Sequence, residues 1–126
     1  MPIDFAKRVA QLKLPDGISK EIYTCMQFIS THINEPINAA DVVVFSGKSR
    51  AFLFKKFQQE LAMTVGAYIT HCRLQEAKLL LRYTDKSLNE ISSYLCFSSQ
   101  SHFQNVFKKY AGITPLEYRK KSISLH

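Results

Sequence analysis

The sequence has no tryptophan, and only four glycines, four prolines and three cysteines in 126 residues. So little glycine and proline excludes a collagen-like or low-complexity chain, and an apolar share of 46% excludes intrinsic disorder. Cys25, Cys72 and Cys96 are odd in number and far apart, with no CxxC or CxxH pair. They supply neither a disulfide framework nor a zinc site and read as small reduced core residues. No window approaches the roughly 18 apolar residues of a membrane span, and the opening lacks the apolar core of a signal peptide. The expected location is cytoplasmic, with no membrane partner. Acidic residues are scarce as well: ten Asp and Glu against seventeen Lys and Arg leave a charge of +7. That surplus attracts polyanions at long range and makes nucleic acid the first partner class. There is no nucleophile elbow, phosphate-binding glycine loop, zinc motif or carboxylate pair in a plausible pocket, and His32, His71 and His102 lack ligand spacing. Neither an enzyme nor a cofactor is expected.

What is present is helical periodicity. Residues 1–18 read as a linker or arm, where Asp4 caps a short helix carrying Phe5, Val9 and Leu12 before Pro15, Asp16 and Gly17 break it. Ser19 caps a first helix to about Ile33, with Ile22, Met26, Ile29 and Ile33 on one stripe and Pro36 ending it. Asn38 caps a short segment to about Phe45, although Val42, Val43, Val44 and Phe45 equally suit a buried strand. Ser49 caps a third helix to about Leu61, with Leu53 and Phe57 inward. A long helix over residues 65–83 has too many apolar positions for one stripe, so it must be covered on two sides. Ser87 and Glu90 form a capping box for a short helix with Leu88, Ile91 and Leu95 inward. Ser98 or Ser99 caps a helix to Tyr110, Gly112 stops it, and Thr114 caps a last short helix with Pro115 at its first position. Residues 120–126 read as a frayed basic tail.

The chain contains one unit twice. Leu53, Phe57, Met63, Thr64 and Tyr68 return fifty positions later as Phe103, Phe107, Ile113, Thr114 and Tyr118. Upstream of the turns the offset is 49, with Val42 answered by Ile91 and Gly47 by Cys96. Each unit is a short helix, a tight turn and a longer helix with a polar outer face, the helix-turn-helix pattern whose second helix enters the major groove of double-stranded DNA. The helix over residues 65–83 would be roughly 28 Å long at about 1.5 Å per residue, against about 34 Å for a turn of DNA. One chain is thus expected to read two successive major-groove segments.

Residues 87–119 closely resemble the signature of AraC/XylS-type transcription regulators. The likeness rests on Phe97, Ser101, Phe103, Phe107, Lys108, Lys109, Gly112, Thr114, Pro115, Tyr118 and Arg119, joined by Tyr68, Arg73, Ala77 and Leu80 in the long helix. It covers residues 19–119 and implies an all-α, seven-helix DNA-binding domain. Its lobes span about 19–64 and 84–119, joined by a linker helix over 65–83, with the third and sixth helices reading DNA. Val43, Lys48, Lys56 and Cys96 depart from the pattern, Cys96 standing where the family has a turn glycine. A non-glycine residue of positive φ would be strained there.

In the sixth helix Phe103, Val106 and Phe107 must face inward, which leaves Ser99, Gln100, Ser101, Gln104 and Asn105 outward. Gln and Asn pair with adenine edges, and by resemblance Gln100, Ser101, Gln104 and Asn105 match base-facing positions, although a solvated polar face looks the same. The matching positions of the third helix are Arg50, Ala51, Phe54 and Lys55; Arg50 and Lys55 suit guanine or phosphate, Ala51 suits a thymine methyl, and Phe54 suits either a thymine methyl or the core. Ser49, Ser99, Lys108, Lys109 and Arg119 are expected at phosphates. Arg73, Phe97, Phe107, Pro115 and Tyr118 are expected to be structural, Arg73 through an ion pair with Glu76 or another acid. The implied function is a sequence-specific regulator, an activator as in most of the family, either part of a longer chain with an effector-binding or dimerisation domain or a small stand-alone regulator. The alternative is that one lobe binds DNA while the other, with its apolar Phe52 and Phe54, docks RNA polymerase or another protein. A DNA-coupled reactive cysteine is disfavoured, because no cysteine adjoins a base or a basic helix start.

Overall fold

The computed structural model describes residues 16–124, with side chains as far as Ser122. The expected helix over residues 4–12 lies outside that range. Among the described residues there are seven helices and no strand, and they divide into two compact units, residues 16–32 with 37–69 and residues 33–36 with 70–124.

In the first unit α1 runs Lys20–Thr31, with the Ser19 hydroxyl accepting the Ile22 amide at 3.3 Å. Ile22, Cys25 and Ile29 are its buried positions. It stops two residues before the expected Ile33: the His32 amide donates three residues back to the Ile29 carbonyl, while the Thr31 hydroxyl and His32 Nδ1 converge on the Phe28 carbonyl. Ile33 therefore leaves the α1 stripe and packs with the second unit's core.

The strand alternative for residues 42–45 is not what forms. The reciprocal Asn38–Asp41 capping box fixes one end of α2 (Ala39–Ser46), and Gly47 in the left-handed region at φ 69° fixes the other. Val42 is buried whereas Val44 is 81% exposed, so one helical face is used. α3 follows as Arg50–Leu61, capped by the Ser49 hydroxyl on the Phe52 amide, and buries Leu53 and Phe57. Its last turn closes on Ala62, a non-glycine residue at φ 54°.

The long helix α4 is Val65–Tyr83, and its excess of apolar residues divides along its length. Buried Val65 and Ile69 belong to the first unit, while Leu74, Ala77 and Leu81 serve the second. There α5 (Leu88–Tyr94) starts at the Ser87–Glu90 capping box and α6 (Gln100–Ala111) at Ser99, whose hydroxyl accepts the His102 amide. Ile91, Leu95, Phe103 and Phe107 complete this core. An aromatic chain runs through it, from Phe97 to Phe103 at 5.1 Å between ring centres, to Phe107 at 5.8 Å and to Tyr118 at 5.6 Å.

α7 begins at buried Pro115 after a reciprocal Thr114–Glu117 box and continues to Ser124. Residues 120–124, read from sequence as a frayed tail, are thus helical. Ser122 holds that turn down: it is 5% exposed and its hydroxyl donates to the Tyr118 carbonyl. The turn before α6 passes through Cys96 at φ 62°, so this residue does adopt the strained conformation.

Candidate nucleic-acid interface

Each reading helix is held by the same device, two buried phenylalanine or leucine side chains one turn apart. Leu53 and Phe57 fix α3 and Phe103 and Phe107 fix α6, all with no exposed surface. With the inner face pinned, the 3.6-residue period decides what faces out. In α6 Ser101, Asn105, Lys108 and Lys109 are exposed, and Gln100 and Gln104 are half-buried at the edges of that face. Ser99 is exposed at its start. In α3 Ser49, Arg50, Ala51 and Lys55 are exposed, and Phe54 is half-buried.

The electrostatics favour an anion at both helices. Neither α3 nor α6 has an acidic residue in its first turn, so the partial positive charge of each N-terminus is not offset by a carboxylate of that turn. α6 contains no acid and ends in Lys108 and Lys109; α3 carries Arg50, Lys55 and Lys56 against Glu60. Lys56 is turned inward, 3.5 Å from Glu21 and 3.7 Å from Glu60, and its ammonium lies 5.6 Å from the Phe52 ring centre. Glu60 in turn accepts the Ser19 amide, so this charged cluster ties α3 to the start of α1. The Glu21 carboxyl is held below its ordinary range by its own backbone amide and by the Lys56 ammonium.

The arginines divide by role. Among the described residues Arg73 meets no carboxylate, contrary to expectation: Nε donates to the Ile33 carbonyl at 3.1 Å and Nη2 to the Glu35 carbonyl at 2.8 Å. The loop after α1 leaves these acceptors without helical partners, and the guanidinium fork satisfies two at once. Arg119, a phosphate candidate from sequence, is half-buried and directs Nε to the Leu81 carbonyl and Nη2 to those of Leu80 and Thr84. It closes the C-terminal end of α4, where unpaired carbonyls and the negative end of the helix dipole favour a cation. Arg50 lies over the Phe54 ring, 5.1 Å from its centre.

His102, weighed from sequence only as a metal ligand, borders the α6 face. It is exposed on the rim of the α6 face, with Nδ1 3.1 Å from the Ser98 hydroxyl and its ring at the edge of Phe97. Its place one turn before Asn105 was the available signal. Among the described residues no cluster of three His, Cys, Asp or Glu side chains could hold a metal ion, and no helix is long and apolar enough to cross a membrane.

Comparison with known proteins agrees with this geometry. The profile of a helix-turn-helix domain family matches residues 45–121. The xylose operon regulatory protein of Escherichia coli is 37% identical over 98 residues, 78% of this chain and 25% of that protein. The F1 operon positive regulatory protein of Yersinia pestis is 36% identical over 99 residues, 78% of this chain and 33% of its own length. A transcriptional regulator from Chromobacterium violaceum, described as an AraC-type DNA-binding domain-containing protein, superposes with a TM-score of 0.78 at 30% identity, covering 81% of this chain and 91% of that one. The chain spans about a third of the length of such curated relatives. A family match over more than half the chain, on the helices whose outward faces were just described, leads to one assignment: the chain belongs to the AraC/XylS family of helix-turn-helix transcription regulators.

Proposed function

We propose that this chain binds double-stranded DNA sequence-specifically, with α6 and α3 each entering a major-groove segment. The observation that carries this is the α6 face. Ser101 and Asn105 stand opposite the fixed Phe103 and Phe107, Gln100 and Gln104 flank that face half-buried, and Lys108 and Lys109 follow at the last turn. Amides and a hydroxyl supply base-edge donors and acceptors, and the two ammonium groups supply phosphate contacts that set register. The test compares Gln104→Ala and Asn105→Ala with the unaltered chain on a preferred duplex and on random duplex. Loss on the preferred duplex alone supports base reading; equal loss on both refutes it.

The activator role, a partner effector-binding or dimerisation domain, and a place on the bacterial nucleoid belong to the same proposal. The Yersinia pestis relative is named a positive regulatory protein, which supports the first. The chain's share of its relatives' length, about a third, supports the second. A second reading gives the first lobe a docking role toward RNA polymerase. Val44 at 81% and Phe52 at 42% exposure favour it, since they leave apolar surface on that lobe. Loss of transcription activation with DNA affinity unchanged in Val44→Lys and Phe52→Lys variants supports docking; unchanged activation refutes it.

A further inference from the structure

Building on the DNA-binding reading, we infer that Arg50 and Phe54 act as one specificity element, by which the first lobe selects a guanine that the second lobe's α6 does not. Three observations point there. Arg73 and Arg119 both direct their guanidinium groups to backbone carbonyls, whereas among the described residues no carboxylate or carbonyl accepts from Arg50. Its five donors are open to an external acceptor. The Arg50 guanidinium carbon lies 5.1 Å from the Phe54 ring centre, and Phe54 is half-buried on a helix whose inner side is closed by Leu53 and Phe57. The ring gives the guanidinium a fixed plane to stack on, so the fork loses less freedom when it binds. Arg50 also opens α3, where no carboxylate of the first turn competes for it.

Two parallel N–H donors in one plane match the O6 and N7 acceptors of guanine in the major groove, a pairing no other base offers. Phe54 is then a positioning residue for Arg50. The repeat sharpens the contrast. Fifty positions on, Arg50 and Phe54 are answered by Gln100 and Gln104, whose amides favour adenine. The two halves of the bound site should therefore differ in base composition as well as in sequence.

The test is selection from a random duplex library by the full chain and by Arg50→Lys, Phe54→Leu and a Gln104→Ala, Asn105→Ala double variant. The block that survives the double variant is the first lobe's, and it should contain a guanine. Arg50→Lys keeps the charge and removes the fork, so it should lower preference for that guanine by roughly 5- to 100-fold with binding to random duplex unchanged. Phe54→Leu keeps apolar bulk without a ring and should weaken the same preference. In the unaltered chain 7-deazaguanine, which lacks N7, should reproduce the Arg50→Lys loss. A first-lobe block without guanine, or an Arg50→Lys chain with undiminished preference, overturns the pair while DNA reading stands. No enrichment by any version of the chain overturns both.

Discussion

Two positions per lobe take the left-handed backbone conformation, and each lobe places glycine at a different one. The turn has Gly47 in the first lobe and Cys96 in the second, at φ 69° and 62°; the end of the reading helix has Ala62 and Gly112, at φ 54° and 83°. A side chain in this region costs about 1–2 kcal/mol through the clash of Cβ with the following carbonyl. Glycine removes that cost but adds about 0.4–1 kcal/mol of freedom to the unfolded chain. The balance for Ala62→Gly is a gain of about 0.5–1 kcal/mol, or roughly 2–6 °C in Tm. Cys96 is half-buried, so its conformational contribution is isolated by comparing Cys96→Gly with Cys96→Ala, which removes the thiol but keeps the strain. The converse change, Gly112→Ala, should cost about the same 0.5–1 kcal/mol. A Cβ built there meets nothing within 4 Å, so only the backbone conformation is at stake. Urea denaturation followed by circular dichroism measures all four variants. A Cys96→Gly chain no more stable than Cys96→Ala, or a neutral Gly112→Ala, would show that the left-handed backbone carries no such cost here.

Phe103→Ala and Phe107→Ala should each cost about 3–5 kcal/mol, since both rings are fully buried in one aromatic chain, and denaturant midpoints would show it. Arg119→Met should destabilise the fold by about 1–3 kcal/mol by freeing the carbonyls at the end of α4, while leaving the salt slope of DNA binding unchanged. Lys108→Ala or Lys109→Ala should instead lower that slope by about 1 each, with little change in stability. Backbone and hydroxyl hydrogen bonds from Ser87 hold the Glu90 carboxyl below its ordinary 4.5, and the hydroxyl and amide of Thr114 do the same for Glu117. The unfolded chain then binds these protons more readily, so the stability that they contribute is present above about pH 4.5 and fades as pH falls through the folded values. Acid unfolding of Glu90→Gln and Glu117→Gln chains should show a shallower acid limb. Burial pushes the Cys25 thiol up to about 11, so thiol alkylation at neutral pH should leave Cys25 unmodified while Cys72 and Cys96 react.

The helix starts were legible because their signals are local. Ser19, Asn38, Ser49, Ser87, Ser99 and Thr114 each cap with their own side chain, and a cap needs only three residues of context. The outward faces of α3 and α6 followed from period and from buried phenylalanines. What escaped depends on distant partners. Arg73 and Arg119 meet carbonyls 35 to 40 positions away, which no spacing rule reveals. Ile33 continues the α1 stripe in sequence but joins another core because the helix stops at Thr31. Residues 120–124 are helical with Ser122 buried, which their basic and serine-rich sequence does not announce. Ala62 gave no sign of positive φ, since alanine is the best helix former, yet the repeat pairs it with Gly112.

If two dissimilar helix faces on one chain read bases, selection of bound sequences from a random duplex library at physiological salt will show it. We expect an asymmetric site of two unlike blocks, with affinity falling steeply as salt rises. Binding without any enriched sequence, lost at physiological salt, would contradict the claim and leave the positive charge as a non-specific attraction.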